Sequence, residues 1–501
     1  MSEGTLPPIT SVRGGAYGTE AHYERMLELA NEYDAMGGDL REQAGLGARV
    51  MADGDLLESA VLSPLSFAEA EADVLGATTG LGGLLVRSLE LEADALLLRA
   101  TVMTYRSIDE LQQQAYDVLD YTTGRMLAYA APGLVLGGGA AYLTLVGANP
   151  FLTPEQRAAI DAGLVDGLQA FAEDNPELVQ HLINGGGGLV DGLQDLAVGG
   201  ATVLGGPIGG LLAQAGLREL GIDPFHPDLN SAARDIAGLY DDGEPDIGEP
   251  KPGDSLYGAA APGSVTDLMR HLQDANDQRH PDGHIEIQTL QLPDGTRRYI
   301  AYLPGTDDMG TLPGQSDGTI RDMGANLRLV GGDDTAYARG IVEALNEVTA
   351  GDPDARVMLV GHSQGGMTAA ELAAQDPATH NFTIDQVVTA GAPTAQVPRI
   401  PESTGVLSLE NSGDVVPLLD GEDNPEHVNR TTVRFDSSSG DIAFNHDMSH
   451  YVQGGAAVDQ AATVSGSSLG PSVQQMRDQG FLDHPAGTTA TVTTYDITRS
   501  P

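Results

Sequence analysis

The chain has no cysteine, no tryptophan and a single lysine, Lys251. Without cysteine it has no disulfides, no cysteine-ligated zinc and no thiol nucleophile. Basic residues are few: 25 Lys and Arg stand against 72 Asp and Glu, a net charge of −47. A surface of that sign repels phosphate backbones and anionic membrane surfaces at long range, so no nucleic acid partner is expected. The charge itself favours solubility. The opening MSEGTLPPIT lacks the basic and then apolar pattern of a cleaved signal peptide. Export, if it occurs, is expected by another route.

What is present is a globular composition, 41% hydrophobic and 19% charged, over 501 residues. At about 100–200 residues per domain this length predicts two to four domains. Residues 19–126 carry apolar side chains at helical spacing, through Tyr23, Met26, Leu27 and Ala30 and again through Leu84, Leu91, Ala95 and Leu98. Pro64 breaks the run, and Ser66 with Glu69 has the spacing of a capping box opening a second long helix. The expectation for 1–126 is a helical hairpin domain. Residues 127–240 read as a Gly-rich apolar helical region. Its uncharged stretch 127–148 is long enough to span a bilayer, but it contains Pro132 and Gly137–Gly139. Buried helix packing is one expectation for it and membrane association the other, since small residues suit both.

Residues 241–263, rich in Pro, Gly and acid, read as a linker. Over 264–462 the pattern changes. His284–Leu290 and Arg297–Leu303 alternate around Pro293-Asp294-Gly295, a β-hairpin pattern. Helical spacing at Thr335–Val348 and Gly366–Gln375 then takes turns with short apolar runs at Arg356–Val360, Gln386–Ala390, Val406–Leu409 and Thr432–Phe435. The fold class expected is α/β, a mostly parallel sheet with helices on both faces. Residues 463–501 read as a C-terminal tail. No fixed-period repeat is visible.

Gly361-His362-Ser363-Gln364-Gly365 fits G-x-S-x-G, and so does Gly466-Ser467-Ser468-Leu469-Gly470. A nucleophile elbow needs a buried strand before the serine and a helix straight after it. Arg356–Val360 and Gly366–Gln375 supply both for Ser363. The second match follows Ala-Thr-Val-Ser, precedes a proline and has no helix to sit on, so it is expected to be a flexible loop. Glycines at 361 and 365 suit a turn too sharp for side chains. The N–H of Gln364, at the helix start, is the natural first oxyanion donor.

In this arrangement the acid and then the histidine follow along the chain. Asp414 comes after the Val406–Leu409 strand, with Asp420 and Asp423 as weaker candidates. His427 precedes the Thr432–Phe435 strand and is poorly placed, whereas His446 and His450 both follow it. The spacing leaves the two open, with His446 favoured by its place just before the final helix.

The motif GHSQGG, then Val388-Thr389-Ala390-Gly391-Ala392-Pro393, then Asn411–Pro417, then a His shortly before Tyr451 resembles the class 3 (fungal-type) lipase family of α/β-hydrolases. The resemblance covers about 200 residues. It departs from the family pattern at Ala390, where Phe is usual, and at Gln364, where Leu is usual. It implies an α/β-hydrolase domain and a lipase or esterase, a phospholipase among them, with a Ser-His-Asp triad and an acyl-enzyme. That chemistry needs no metal or organic cofactor. The substrate implied is a lipid or small ester. The family's oxyanion turn corresponds to Tyr302–Asp307, so Thr306 is the implied second donor, with Pro304 in place of the family's Arg. A lid is implied over Asp307–Asp334, around Met309, Leu312, Met323 and Leu327; an ordinary surface loop is the plainer alternative.

The N-terminal half resembles actinobacterial substrates of type VII secretion, on its acidic hairpin and on Tyr105-Arg106-Ser107-Ile108-Asp109 late in the second helix. The Trp-x-Gly turn of those proteins is missing. This resemblance implies a partner in a secretion machinery and a secreted or cell-envelope location, with the cytoplasm as the alternative. The competing expectation for the whole chain is a secreted membrane-interaction or effector protein on a non-catalytic hydrolase scaffold.

Overall fold

A computed structural model describes residues 6–80, 82–142, 176–253, 255–277, 280–314, 318–439 and 442–500. The apolar stretch 127–148 lies outside the described residues from position 143 onward. The chain divides into two compact units, Thr19–Ala115 and the remainder.

The first unit is helical: α1 (Thr19–Met51), α2 (Gly54–Leu62), α3 (Pro64–Thr78) and α4 (Leu84–Tyr142), the last continuing beyond the unit. Pro64 occupies the first turn of α3, where its missing N–H costs nothing. Ser66 and Glu69 therefore sit inside α3 instead of opening the second long helix, which begins at Leu84. α1 and α4 are joined by polar links: Ser88 Oγ donates to the Gly37 carbonyl at 2.8 Å, Arg99 pairs with Asp34 at 2.6 Å, and Arg41 pairs with Glu92. Tyr105 stacks on Tyr23, whose hydroxyl donates to Asp109 at 3.0 Å.

The second unit is mixed α/β around a central sheet. Its strands are β1 (Ile9–Gly14), β2 (Glu244–Ile247), β3 (Lys251–Pro252), β4 (His284–Gln291), β5 (Arg297–Leu303), β6 (Arg356–His362), β7 (Thr383–Ala390), β8 (Gly405–Asn411), β9 (Arg430–Phe435) and β10 (Thr489–Ser500). Their order is β1-β9-β8-β7-β6-β5-β4-β10-β2, with β3 also on β10. The centre, β5 to β9, is parallel, while β4, β10, β2, β3 and β1 add antiparallel flanks. Between β1 and β2 come α5 (Pro176–Asn184), α6 (Gly186–Glu219) and α7 (Leu229–Ala237); between the later strands come α8 (Val265–Ala275), α9 (Met323–Gly331), α10 (Ala336–Val348), α11 (Gln364–Ala374), α12 (Ile442–Asn445), α13 (Met448–Ala462) and α14 (Gly470–Asp478).

Alternation along β6 shows how one apolar run serves two cores. Val357 and Leu359 pack with Tyr337, Ile341 and Leu345 of α10 and with Ala369 and Leu372 of α11. Met358 and Val360 pack on the other face with Leu268, Met269 and Leu272 of α8 and with Tyr451 and Val458 of α13. Being covered on both faces explains why this strand is apolar throughout.

Two expected boundaries are corrected. Residues 241–263 are no free linker, because β2 and β3 pair antiparallel with β10. Residues 463–501 are no tail, because they supply α14 and the twelve-residue strand β10. Tyr495 and Ile497 of β10 are buried, and Asp496 accepts from the lone lysine, Lys251, at 2.7 Å. The expected Gly-rich region is likewise part of this unit. α6 lies so close to α4 that a Cβ on Gly188 would strike the carbonyl of Tyr121. Small residues here allow tight helix contact. Further along, α6 kinks at Gly206-Pro207, where Gly206 has φ 63. Among the described residues no helix is long and apolar enough to cross a membrane.

Candidate active site

β6 ends at His362 and α11 begins at Gln364, which leaves Ser363 alone on the turn between them. Its φ of 53 is left-handed, a conformation that costs a non-glycine residue about 1–3 kcal/mol and persists only where the surroundings enforce it. The enforcement is visible. Ser363 N–H donates to the Ala390 carbonyl of β7 at 3.0 Å, and its own carbonyl accepts from Gly366 and Met367 at 3.0 and 3.1 Å. A Cβ at Gly361 would strike the Gly365 carbonyl, and one at Gly365 would strike the Leu303 carbonyl. The second G-x-S-x-G differs in what precedes it. A helix, α14, does follow Gly466–Leu469, contrary to expectation, but a helix, α13, comes before it where an elbow needs a strand.

Asp414 follows β8 and is buried. Its Oδ2 meets Nδ1 of His446 at 2.6 Å and accepts from the Tyr451 hydroxyl at 2.5 Å, while Oδ1 accepts from Val416 N–H at 2.9 Å. Burial, and then the Asp414 charge, push the Tyr451 hydroxyl well above its usual pKa, so it stays a donor. The two loops are tied by Asn445, whose amide donates to the Gly413 carbonyl at 3.1 Å, and by Asn411, whose amide donates to the Asn445 carbonyl at 3.0 Å. His450, one turn further on, pairs instead with Ser437 Oγ at 2.9 Å and packs edge-on against Phe444. Of the two histidines left open by sequence, Asp414 takes His446. Asp420, buried and pushed up to about 7 by that burial, binds the Ala395 N–H, Asp423 pairs with Arg434 at 2.7 Å, and His427 sits beside Arg399.

Ser363 and His446 line one cavity of about 540 Å³. Among the described residues no hydrogen bond joins them, and such contacts commonly tighten only when substrate arrives. Thr306 and Gly305 line the same cavity, and a Cβ on Gly305 would lie 3.1 Å from that of Ser363. Gly305 is held by its N–H donating to Asn276 Oδ1 at 2.9 Å. Gln364 begins α11, so its N–H is one of the helix's unpaired leading donors.

The Gln364 side chain ties the serine turn to a neighbouring helix. Its amide donates to the Asp322 carbonyl at 2.9 Å and to Asn326 Oδ1 at 3.0 Å, pinning α9 to the elbow. Asn326 in turn donates to Thr306 Oγ1 at 3.1 Å. The expected lid segment thus contains a helix, α9, whose Met323 and Leu327 face the cavity together with Met309, while Leu312 is exposed. Its base is anchored by buried ion pairs, Arg321 with Asp307 at 2.7 Å and Arg499 of β10 with Asp322 at 2.9 Å.

Sequence reading missed His362 and the outer wall of the cavity. His362 is buried; burial, and then the nearby His446, hold its pKa well below the usual imidazole range. As a neutral ring it donates from Nε2 to the His446 carbonyl at 3.0 Å, so it positions the backbone of its neighbour. The wall comes from α6 and α7, through Leu189, Val190, Leu229 and Ile236. His226 clasps these helices, with Nδ1 on Asp191 at 2.7 Å and Nε2 on Asp235 at 2.9 Å. Burial opposes charge on His226, but the two carboxylates outweigh it and raise its pKa. The capping box of α7, Asp228 with Ser231, was a readable signal for that helix. Away from this cavity, His280, His284 and Glu286 bring possible metal-ligand atoms within 4.8 Å of one another. Comparison with protein-family models, curated proteins and solved structures gives no match to this chain.

Proposed function

We propose that the chain is a serine hydrolase of carboxylic esters, a lipase or esterase built as an α/β-hydrolase, acting through Ser363, His446 and Asp414. The observation that carries this reading is the pairing of a strained strand-to-helix serine with an Asp-anchored histidine in one largely apolar cavity. Ser363 Oγ attacks the acyl carbon and passes its proton to Nε2 of His446. Asp414 holds the Nδ1–H and stabilises the imidazolium. The carbonyl oxygen, now negative, takes the N–H groups of Gln364 and Thr306. Collapse of this intermediate expels the alcohol, which leaves with the proton from His446. Water then gives a proton to the same imidazole and attacks the acyl-enzyme, releasing the carboxylic acid and restoring Ser363. Met309, Met323, Leu327 and Met367 around the serine favour an apolar acyl group.

Fluorophosphonate labelling of the purified protein, read by peptide mass spectrometry, tests the reading. The expected result is one label on Ser363, absent from Ser363→Ala, together with a loss of ester turnover of about 10⁴–10⁶-fold in that variant. Absence of label on the wild type, even with detergent or lipid present, would sink the enzyme reading and leave an interaction protein on a non-catalytic scaffold.

A further inference from the structure

β4 carries a second constellation. His284 and Glu286 are two residues apart and so share one face of the strand, and both are buried. His280, half-buried in the turn before β4, stacks on His284 with ring centroids 4.1 Å apart. Around these side chains every carboxylate meets an imidazole. Asp496 Oδ1 lies 3.2 Å from Nδ1 of His284, and Glu286 Oε1 lies 3.5 Å from its Nε2. Glu286 Oε2 is already engaged, by His271 Nε2 at 2.6 Å. Ligand atoms of His280, His284 and Glu286 all lie within 4.8 Å of one another, close enough for one cation to bridge them.

We propose that His280, His284 and Glu286 bind a divalent transition metal, with zinc the ion the donor set fits best. Two imidazoles and one carboxylate form a mixed nitrogen and oxygen set that suits zinc, whereas calcium and magnesium favour oxygen alone. The outer contacts have the arrangement that orients metal ligands. Asp496 on Nδ1 turns Nε2 of His284 toward the ion, and His271 holds the far oxygen of Glu286. His280 also lines a separate depression of about 330 Å³ with Asp277 and Asp282, which opens this one ligand to solvent. Sharing one ion requires the His280 ring to rotate out of its stack. The bound ion braces the turn before β4. That turn is linked to the oxyanion loop through Asn276, which accepts from Gly305, and through Asp307, which accepts from Gly283 N–H at 2.8 Å.

The test uses the full chain, stripped with chelator, loaded with Zn²⁺ and freed of excess ion, with metal content read by mass spectrometry and with Co²⁺ as a visible-absorption probe. About one zinc per chain should be retained, and Co²⁺ should give the intense visible bands of a four-coordinate site. His280→Ala should lose retention at an unchanged metal-free melting temperature; His280→Asn gives the same reading should alanine lower that temperature. Asp496→Asn should weaken zinc about 10–100-fold. A wild type that retains no zinc, or His280 variants that retain it as tightly as wild type, would overturn the proposal.

Discussion

The fully buried side chains of the sheet unit include Tyr299, Tyr302, Tyr337, Phe435 and Tyr451, while those of the hairpin at 19–115 include Ala30, Ala95, Val102 and Ser88. The first set fills layers on both faces of a sheet, and the second lets helices approach and be linked by polar side chains. Larger apolar residues of the hairpin face outward, Leu96 at 70% exposure among them. The difference decides where strained chemistry can be housed. A serine at φ 53 needs neighbours that cannot give way, and Ser363 has packed strands on either side and a helix behind it. The hairpin is joined instead by small buried residues and by polar links such as Ser88 to Gly37 and Arg99 to Asp34.

Four measurements would break or sharpen this contrast. The largest effect is expected inside the sheet unit, where Asp414→Asn should cut ester turnover about 10⁴-fold with little change in melting temperature, since the side chain keeps its shape but no longer fixes the His446 tautomer. A loss under tenfold would show that the Asp414–His446 contact is only structural. Next, Leu359→Ala, wholly buried in β6, should lose about 2–5 kcal/mol in denaturant unfolding, against at most about 0.5 kcal/mol for Leu96→Ala in the hairpin. Equal losses would mean that the hairpin has a packed core after all.

The third concerns pH. Burial raises Glu371 of α11 to about 7. A carboxyl with a raised folded pKa binds more protons folded than unfolded, so its stabilising contribution is present below about pH 4.5 and is lost as pH rises through about 7. Glu371→Gln should therefore flatten the fall in stability across that window, by on the order of 1–3 kcal/mol at pH 8. An unchanged slope would place the pH dependence elsewhere, for instance on Asp420. The smallest effect is His450→Ala, for which turnover should stay within about threefold of wild type, while His446→Ala loses nearly all of it.

What could be read from the sequence was what is encoded locally. The elbow is a contiguous strand, glycine-flanked serine and helix, so Ser363 stands out against the second match at 466–470. Asp414 was found from strand order, and His446 was left beside His450 because one helical turn cannot be resolved by spacing; the 2.6 Å contact from Asp414 resolves it. The residues missed depend on distant partners. β10 is rich in Thr, Val, Ile and Tyr, a strand composition, yet as the last segment before the end of the chain it read as a tail because its partners lie some two hundred residues earlier. The α6 and α7 wall was legible as apolar helix, but nothing in its own residues points to a cavity beside Ser363. His362 was hidden in plain view as the x of the motif, where any residue is accepted.

The place of β10 in the sheet also sets a timetable. β4 leaves the ribosome with one of its long edges waiting for Thr489–Ser500, and at about 5–20 residues per second the roughly 200 intervening residues take tens of seconds. β9 faces the reverse situation, because its antiparallel partner Ile9–Gly14 was made long before and has been waiting for it. During synthesis the parallel centre can assemble in order and β1 can cover β9 at once, while the β4 edge stands open. An unpaired strand edge is a template for the wrong neighbour, so the newborn chain is vulnerable along β4 until β10 docks.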